Sequence, residues 1–269
     1  MKEAFEDREA LLGELRRLRQ ALRELTPPLE ALLRRRGFEV YKKNPSEDLL
    51  VPAPQHLQQY YQRMKKYSFR LFLRDVIKYQ EGFSTQQVVH YATAEVTKEY
   101  IGYLLQLGLL EPHQGGYRLR KRPIKSFGET LEWFLAETLK REFAAEALWG
   151  VKFRRPRIGG DYDLVAKVDA SILYMEVKSS PPKQIYQSEI RAFLKRVEDL
   201  APEVAVFFMD TELRMKDKIV PMFQEEGLRP QRLYKELFHA PDRIYIINAK
   251  GSVAANVQRV LSHALRRKD

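Results

Sequence analysis

A glycine turn followed by two short apolar runs that carry charge at one end constrains this chain more than any other feature. Gly159-Gly160-Asp161-Tyr162-Asp163-Leu164-Val165-Ala166 leads through a turn at 168–171 into Leu173-Tyr174-Met175-Glu176-Val177-Lys178. In a β-hairpin, alternation puts Asp161, Asp163, Val165 and Lys167 on one face of the first strand, and Tyr174, Glu176 and Lys178 on one face of the second. Tyr162, Leu164, Ala166, Met175 and Val177 fall on the other faces and suit a core. Acids and a lysine therefore meet at one end of an apolar sheet, a costly arrangement without a cation or an anionic substrate to compensate it.

The flanking sequence supplies an alternating α/β pattern. Residues 126–146 read as an amphipathic helix with Leu131, Phe134, Leu135, Thr138 and Leu139 on one face and Ser126 as a cap. A strand follows at 149–153. After the hairpin come a helix over 182–200, a continuous apolar run at 204–209 suited to a central strand, a helix near 216–226, a strand at 243–248 and a last helix near 253–267.

The hairpin residues resemble the PD-(D/E)xK nuclease superfamily, and its resolvase-like members in particular. There, a glycine turn precedes an Asp on one strand and the next strand ends in Glu-Val-Lys. The resemblance implies a restriction-endonuclease-like mixed sheet flanked by helices and metal-dependent hydrolysis of phosphodiester bonds, leaving 5′-phosphate and 3′-hydroxyl ends. Asp163, Glu176 and Lys178 match the motif, with Asp161 competing for the place of Asp163. Hard carboxylate oxygens suit Mg2+ or Mn2+, so Asp163 and Glu176 are the expected metal ligands. Lys178 is expected to orient the attacking water or to stabilise charge in the transition state. The family's opening helix often adds a Glu, for which Glu132 fits best and Glu129 and Glu137 are rivals. The helix after the lysine strand often adds a polar residue, making Gln184 and Gln187 secondary candidates.

Residues 68–122 resemble a winged helix-turn-helix. Helices are expected at 69–79, 84–91 and 93–106, the last two capped by Ser84 and Thr93, and a hairpin wing at 109–120 surrounds Pro-His-Gln-Gly-Gly. Glu95 and Glu99 on the outward face of the third helix oppose direct insertion into a major groove. The wing arginines Arg118 and Arg120 are better contact candidates, and winged helices also bind proteins.

With 44% hydrophobic residues in 269, the chain can fill more than one core, and the expected division is 1–58, 59–125 and 126–269. A net charge of +11 favours a polyanionic partner. The basic clusters Arg118, Arg120, Lys121, Arg122, Lys125 and Lys152, Arg154, Arg155, Arg157 outline a phosphate track toward the hairpin. Leu11, Leu15, Leu18, Leu22 and Leu25 form a short coiled-coil-like seam, expected to pack on the chain itself or to join a homodimer or a protein partner. The absence of cysteine excludes disulfides and thiolate zinc sites, and the histidines are scattered. Lacking an apolar stretch long enough to span a bilayer or a signal-peptide core, the chain is expected to be soluble and cytoplasmic. The expected activity is that of a nuclease, an endonuclease in particular, acting on DNA in preference to RNA. The alternative is a non-catalytic DNA-binding or regulatory protein built on the same fold.

Overall fold

The computed structural model describes residues 11, 13–15, 17, 18, 21, 26–154 and 160–266. Arg155, Arg157, Gly159, Leu22 and Leu25 from the sequence analysis lie outside these residues. Helices are α1 (Leu29–Arg35), α2 (Leu57–Met64), α3 (Tyr67–Lys78), α4 (Ala94–Gln106), α5 (Gly128–Phe143), α6 (Gln187–Leu200), α7 (Ile219–Glu225) and α8 (Val253–Arg266). Strands are β1 (Val40–Lys42), β2 (Leu110–His113), β3 (Gly116–Leu119), β4 (Glu146–Phe153), β5 (Tyr162–Val168), β6 (Ser171–Lys178), β7 (Val204–Met209), β8 (Gln231–Tyr234), β9 (Leu237–Ala240) and β10 (Ile244–Asn248).

An eight-stranded mixed sheet, in the order β1-β4-β5-β6-β7-β10-β9-β8, carries the fold. β4, β5 and β6 run antiparallel, while β6, β7 and β10 are parallel. Parallel neighbours need a crossover, which α6 provides between β6 and β7. β7 shows why its six residues are all apolar. Val204, Val206 and Phe208 face one core with α5 and α8, whereas Ala205, Phe207 and Met209 face a second core with α1, α6 and α7. A strand covered on both faces has no polar face to alternate with.

The same double coverage changes the reading of the hairpin. Its charged face is not solvent-facing: Val165 and Tyr174 belong to the second core while Leu164 and Met175 belong to the first. Tyr162, expected with Leu164, instead packs against the Tyr174 ring at 5.2 Å and donates to Asp199 of α6 at 3.1 Å. The turn joining β5 to β6 is short, and Asp169 takes a left-handed φ of 53° there, a conformation that Asp tolerates better than most residues.

Two strand features fall where the sequence suggests only connection. β1 lies in a proline-containing segment and pairs with β4, Val40 opposite Phe153, and just upstream Leu29, Leu33 and Phe38 enter the second core. β8 and β9 form a hairpin at the far sheet edge. The expected helix over 84–91 is only a 3-10 turn at Thr85–Gln87, because Val88 leaves helical geometry (φ −123°, ψ 8°).

α3, the 3-10 turn, α4 and the β2–β3 hairpin form a helical module ending in an antiparallel ribbon. Thr93 caps α4, its side-chain oxygen accepting from Val96 N at 3.3 Å. A buried ion-pair cluster ties the module to the sheet. Arg70 of α3, 1% exposed, donates to Asp210 Oδ1 at 2.9 Å, and Arg74 donates to Asp210 Oδ2 at 2.5 Å. Asp210 follows β7 directly, so the module is fixed to the strand beside the hairpin. Among the described residues, no helix is long and apolar enough to cross a membrane.

Candidate active site

β5 and β6 deliver the acids through their register. The pairing of β5 with β6 runs outward to Leu164 opposite Met175, and beyond it Asp163 and Glu176 come close enough to repel each other. Asp163 Oδ2 accepts the Val177 N–H at 2.7 Å, which pins the carboxylate against β6. Glu176, 3% exposed, is engaged at both oxygens. Lys178 Nζ lies 2.9 Å from Oε1, while Arg196 Nη1 lies 3.1 Å from Oε2, which also accepts from the Tyr174 hydroxyl. Lys178 bridges onward to Glu189 of α6 at 3.1 Å.

Glu132 reaches this end from α5, and the backbone of β4 is shaped to receive it. Gly150 has a φ of +53°, and a Cβ there would lie 2.5 Å from the Pro45 ring. With no side chain in the way, the Gly150 N–H donates to the Glu132 carboxylate. Asp161 stands apart: it is exposed and pairs with Lys152 at 3.0 Å. Gln187 donates to Met222 O at 2.8 Å and to Glu226 at 2.6 Å, bracing α6 on α7, and Gln184 is exposed on the preceding turn. Glu129 accepts from Asp48 N at 2.9 Å, and Glu137 pairs with Lys140 and Arg141 on its own helix.

Electrostatics at the cluster run against ionisation. Burial, then repulsion from Glu176, pushes the Asp163 carboxyl up to about 7, although the Val177 N–H, Lys178 and Arg196 oppose the rise. Burial, then Asp163 and Glu129, pushes Glu132 up to about 9. Burial works against the Lys178 ammonium, but Glu176, Asp163 and Glu189 outweigh it and raise its pKa. Asp163 as a residue nevertheless keeps part of its surface open to solvent.

A divalent cation placed beside Asp163 and Glu132 would favour their ionised forms against burial. Among the described residues, no three His, Asp or Glu groups are arranged to hold a metal alone. The donor set suits a hydrated ion held by two carboxylates and completed by water and phosphate oxygens, the usual way of binding Mg2+.

Tyr174, Glu189 and Arg196 belong to this constellation without having been selected from the sequence as site residues. Glu189 and Arg196 are seven residues apart on α6 and so face the same way, a helical signal present in the sequence. Which strand end they face depends on the crossover.

The basic clusters are less free than their spacing implies. Arg118, Arg120 and Arg122 surround Glu111 at 2.7, 3.8 and 3.9 Å. Lys121 donates to Ser46 O and Leu49 O at 2.5 and 3.1 Å, securing the preceding segment. Arg120, with 64% of its side chain exposed, is the most open of the three arginines, and Arg154 is exposed and pairs with Glu39 at 3.6 Å.

The chain matches no protein-family model and no curated protein. Solved structures with a similar fold include protein VC1899 from Vibrio cholerae, with a TM-score of 0.54 and 13% identity over 90% of this chain and 62% of that one. Can2 from Sulfobacillus thermosulfidooxidans, solved in complex with cyclic tetra-adenylate, has a TM-score of 0.53 and 13% identity over 87% of this chain and 60% of that one. The chain thus spans about three-fifths of the length of each. The likeness is one of fold, and the mixed eight-stranded sheet flanked by helices is consistent with the restriction-endonuclease-like arrangement.

Proposed function

We propose that this chain is a metal-dependent nuclease that hydrolyses phosphodiester bonds, with DNA as its first substrate and the module over residues 67–119 acting as a winged helix that positions it. One observation carries the reading: Asp163, Glu176 and Lys178 converge at one end of the β5–β6 hairpin, where burial and then Glu176 push the Asp163 carboxyl up to about 7. Mg2+ or Mn2+ held by Asp163 and Glu176, with Glu132 beside them, would supply Lewis acidity and lower the pKa of a water.

The protein's own groups do the rest. Lys178, braced by Glu176 and Glu189, presents an ammonium to charge developing on the phosphate. Water oxygen bonds to phosphorus, the P–O3′ bond breaks, and the leaving oxygen takes a proton, giving 5′-phosphate and 3′-hydroxyl ends. Arg120, directly after the ribbon, and the net charge of +11 support a polyanion running past the module. The complex of a similar fold with cyclic tetra-adenylate also supports a ligand linked by phosphodiesters.

A second reading, a nucleic-acid-binding scaffold without catalysis, draws on a different fact: Lys178 and Arg196 already neutralise Glu176. The two separate in a cleavage screen over linear, circular, branched and single-stranded DNA, and RNA, with Mg2+, Mn2+ or chelator. Cleavage that stops with chelator and is lost in Asp163→Ala, Glu176→Ala and Lys178→Ala supports the nuclease. Binding without cleavage under every metal supports the scaffold, and cleavage retained in all three variants rejects the site.

A further inference from the structure

A cleft of about 560 Å³ opens at the far edge of the sheet, between the β8–β9 hairpin and α8. It lies four strands from β6 in the sheet order, roughly 19 Å at ordinary strand spacing. Its helix packs into the core shared with α5, the opposite face from Tyr174. Its lining combines Tyr234, Leu237, Gln258, Arg259, His263 and Arg266, and no Asp or Glu lines it among the described residues.

Two arrangements here are built rather than incidental. The Arg259 guanidinium sits 4.1 Å from the centre of the Tyr234 ring and donates to Asn256 Oδ1 at 3.4 Å, so it is held over the ring, with no ion pair to a carboxylate among the described residues. Behind it, His263 Nδ1 is 2.9 Å from the Tyr245 hydroxyl, and the His239 ring lies 4.9 Å from both rings, which fixes the imidazole at the base of the cleft. A planar cation on an aromatic ring, a second arginine, an amide and an apolar wall are complementary to one chemical class. The planar part of such a ligand stacks on the Arg259–Tyr234 pair and against Leu237, while its anionic part takes the guanidinium donors of Arg259 and Arg266. The volume is in the range of small-molecule sites.

We propose that this cleft is a nucleotide-binding site separate from the hydrolytic one, taking a nucleobase with its phosphate. The nucleotide is either a free one or a unit of a bound strand. The assignment goes beyond the nuclease reading and does not depend on it.

The test is fluorescence titration, in chelator, of full-length protein with N-methylanthraniloyl-ADP and with a fluorescein-labelled single-stranded oligodeoxynucleotide. Arg259→Gln combined with Arg266→Gln, and Tyr234→Ala, change exposed side chains, and circular dichroism checks that each variant is folded. Saturable binding of the ADP probe that weakens about tenfold or more in these variants, yet is unchanged in Asp163→Asn, is the expected result for a free nucleotide. The same pattern with the oligonucleotide alone assigns the cleft to a strand. Binding of neither probe, binding indifferent to all three substitutions, or displacement of the ADP probe by inorganic pyrophosphate as readily as by ADP overturns the proposal.

Discussion

Asp163→Asn should abolish hydrolysis and yet stabilise the cation-free protein. The Asp163 carboxyl is pushed from 3.8 up to about 7 by burial and by Glu176, and in the unfolded chain it returns to the ordinary range. Between those values the folded protein holds a proton that the unfolded chain has released, so stability falls as pH rises. The contribution is fully present below about pH 4 and gone above about pH 7. At about 1.4 kcal/mol per pKa unit, ionised Asp163 costs at most roughly 4 kcal/mol. The part of the side chain open to solvent and the coupling to Glu176 reduce this, so about 1–3 kcal/mol is expected. Asparagine escapes this titration and keeps a carbonyl for the Val177 N–H. Thermal or urea unfolding in chelator should therefore give equal stabilities near pH 4. Near pH 8 the variant should lead, each kcal/mol raising Tm by about 2–4 °C for a chain of this size. Saturating Mg2+ should stabilise the wild type more than the variant, since only the wild type offers both carboxylates. A variant less stable than wild type near pH 8 in chelator, or a difference independent of pH, would refute the reasoning.

Asp210→Asn should destabilise by about 3–5 kcal/mol in urea titrations, because it leaves buried Arg70 without its counter-charge; a loss below about 1 kcal/mol would show that the cluster does not tie the module to the sheet. Arg196→Met should lower cleavage while Arg196→Lys restores part of it, as a cation beside Glu176 requires; kinetics at saturating metal would expose indifference to this charge. Gly150→Ala should destabilise through its left-handed φ and the Pro45 ring, and should weaken metal binding by displacing Glu132, read by calorimetry with Mn2+. Arg120→Ala should weaken oligonucleotide binding and reduce the salt slope by about 1, with Arg118→Ala smaller because Glu111 holds Arg118.

Much of the sheet was legible because its strands are apolar runs with sharp ends. β7 falls on the expected 204–209, the strand expected at 243–248 begins one residue late and ends as expected, and the last helix starts at the expected Val253. β1, β8 and β9 were not legible. β1 and β8 are edge strands of three and four residues, and β8 is exposed throughout, so their composition carries no core pattern. β9 is buried between β10 and β8, but its four residues are too short a run to mark a strand in the sequence. The basic clusters were visible as charge, but Glu111 and Arg118 meet only through the register of the β2–β3 hairpin, and Glu81 reaches Arg122 from outside it.

The chain's own order of residues determined the β5–β6 hairpin and, through its period of two, that Tyr174, Glu176 and Lys178 share a face. Alternation is a local property of extended backbone, so once the short turn sets Leu164 opposite Met175, Asp163 and Glu176 follow at the same end of the hairpin. Tertiary structure alone decided that this face is covered, because α6 must cross over to make β7 parallel to β6. That crossover brings Arg196 and Glu189 onto the acids, and α5 adds Glu132 across the Gly150 kink. Burial by helices, with the acids they bring together, pushes the Asp163 and Glu132 carboxyls above their ordinary range, and no local pattern of residues carries that information.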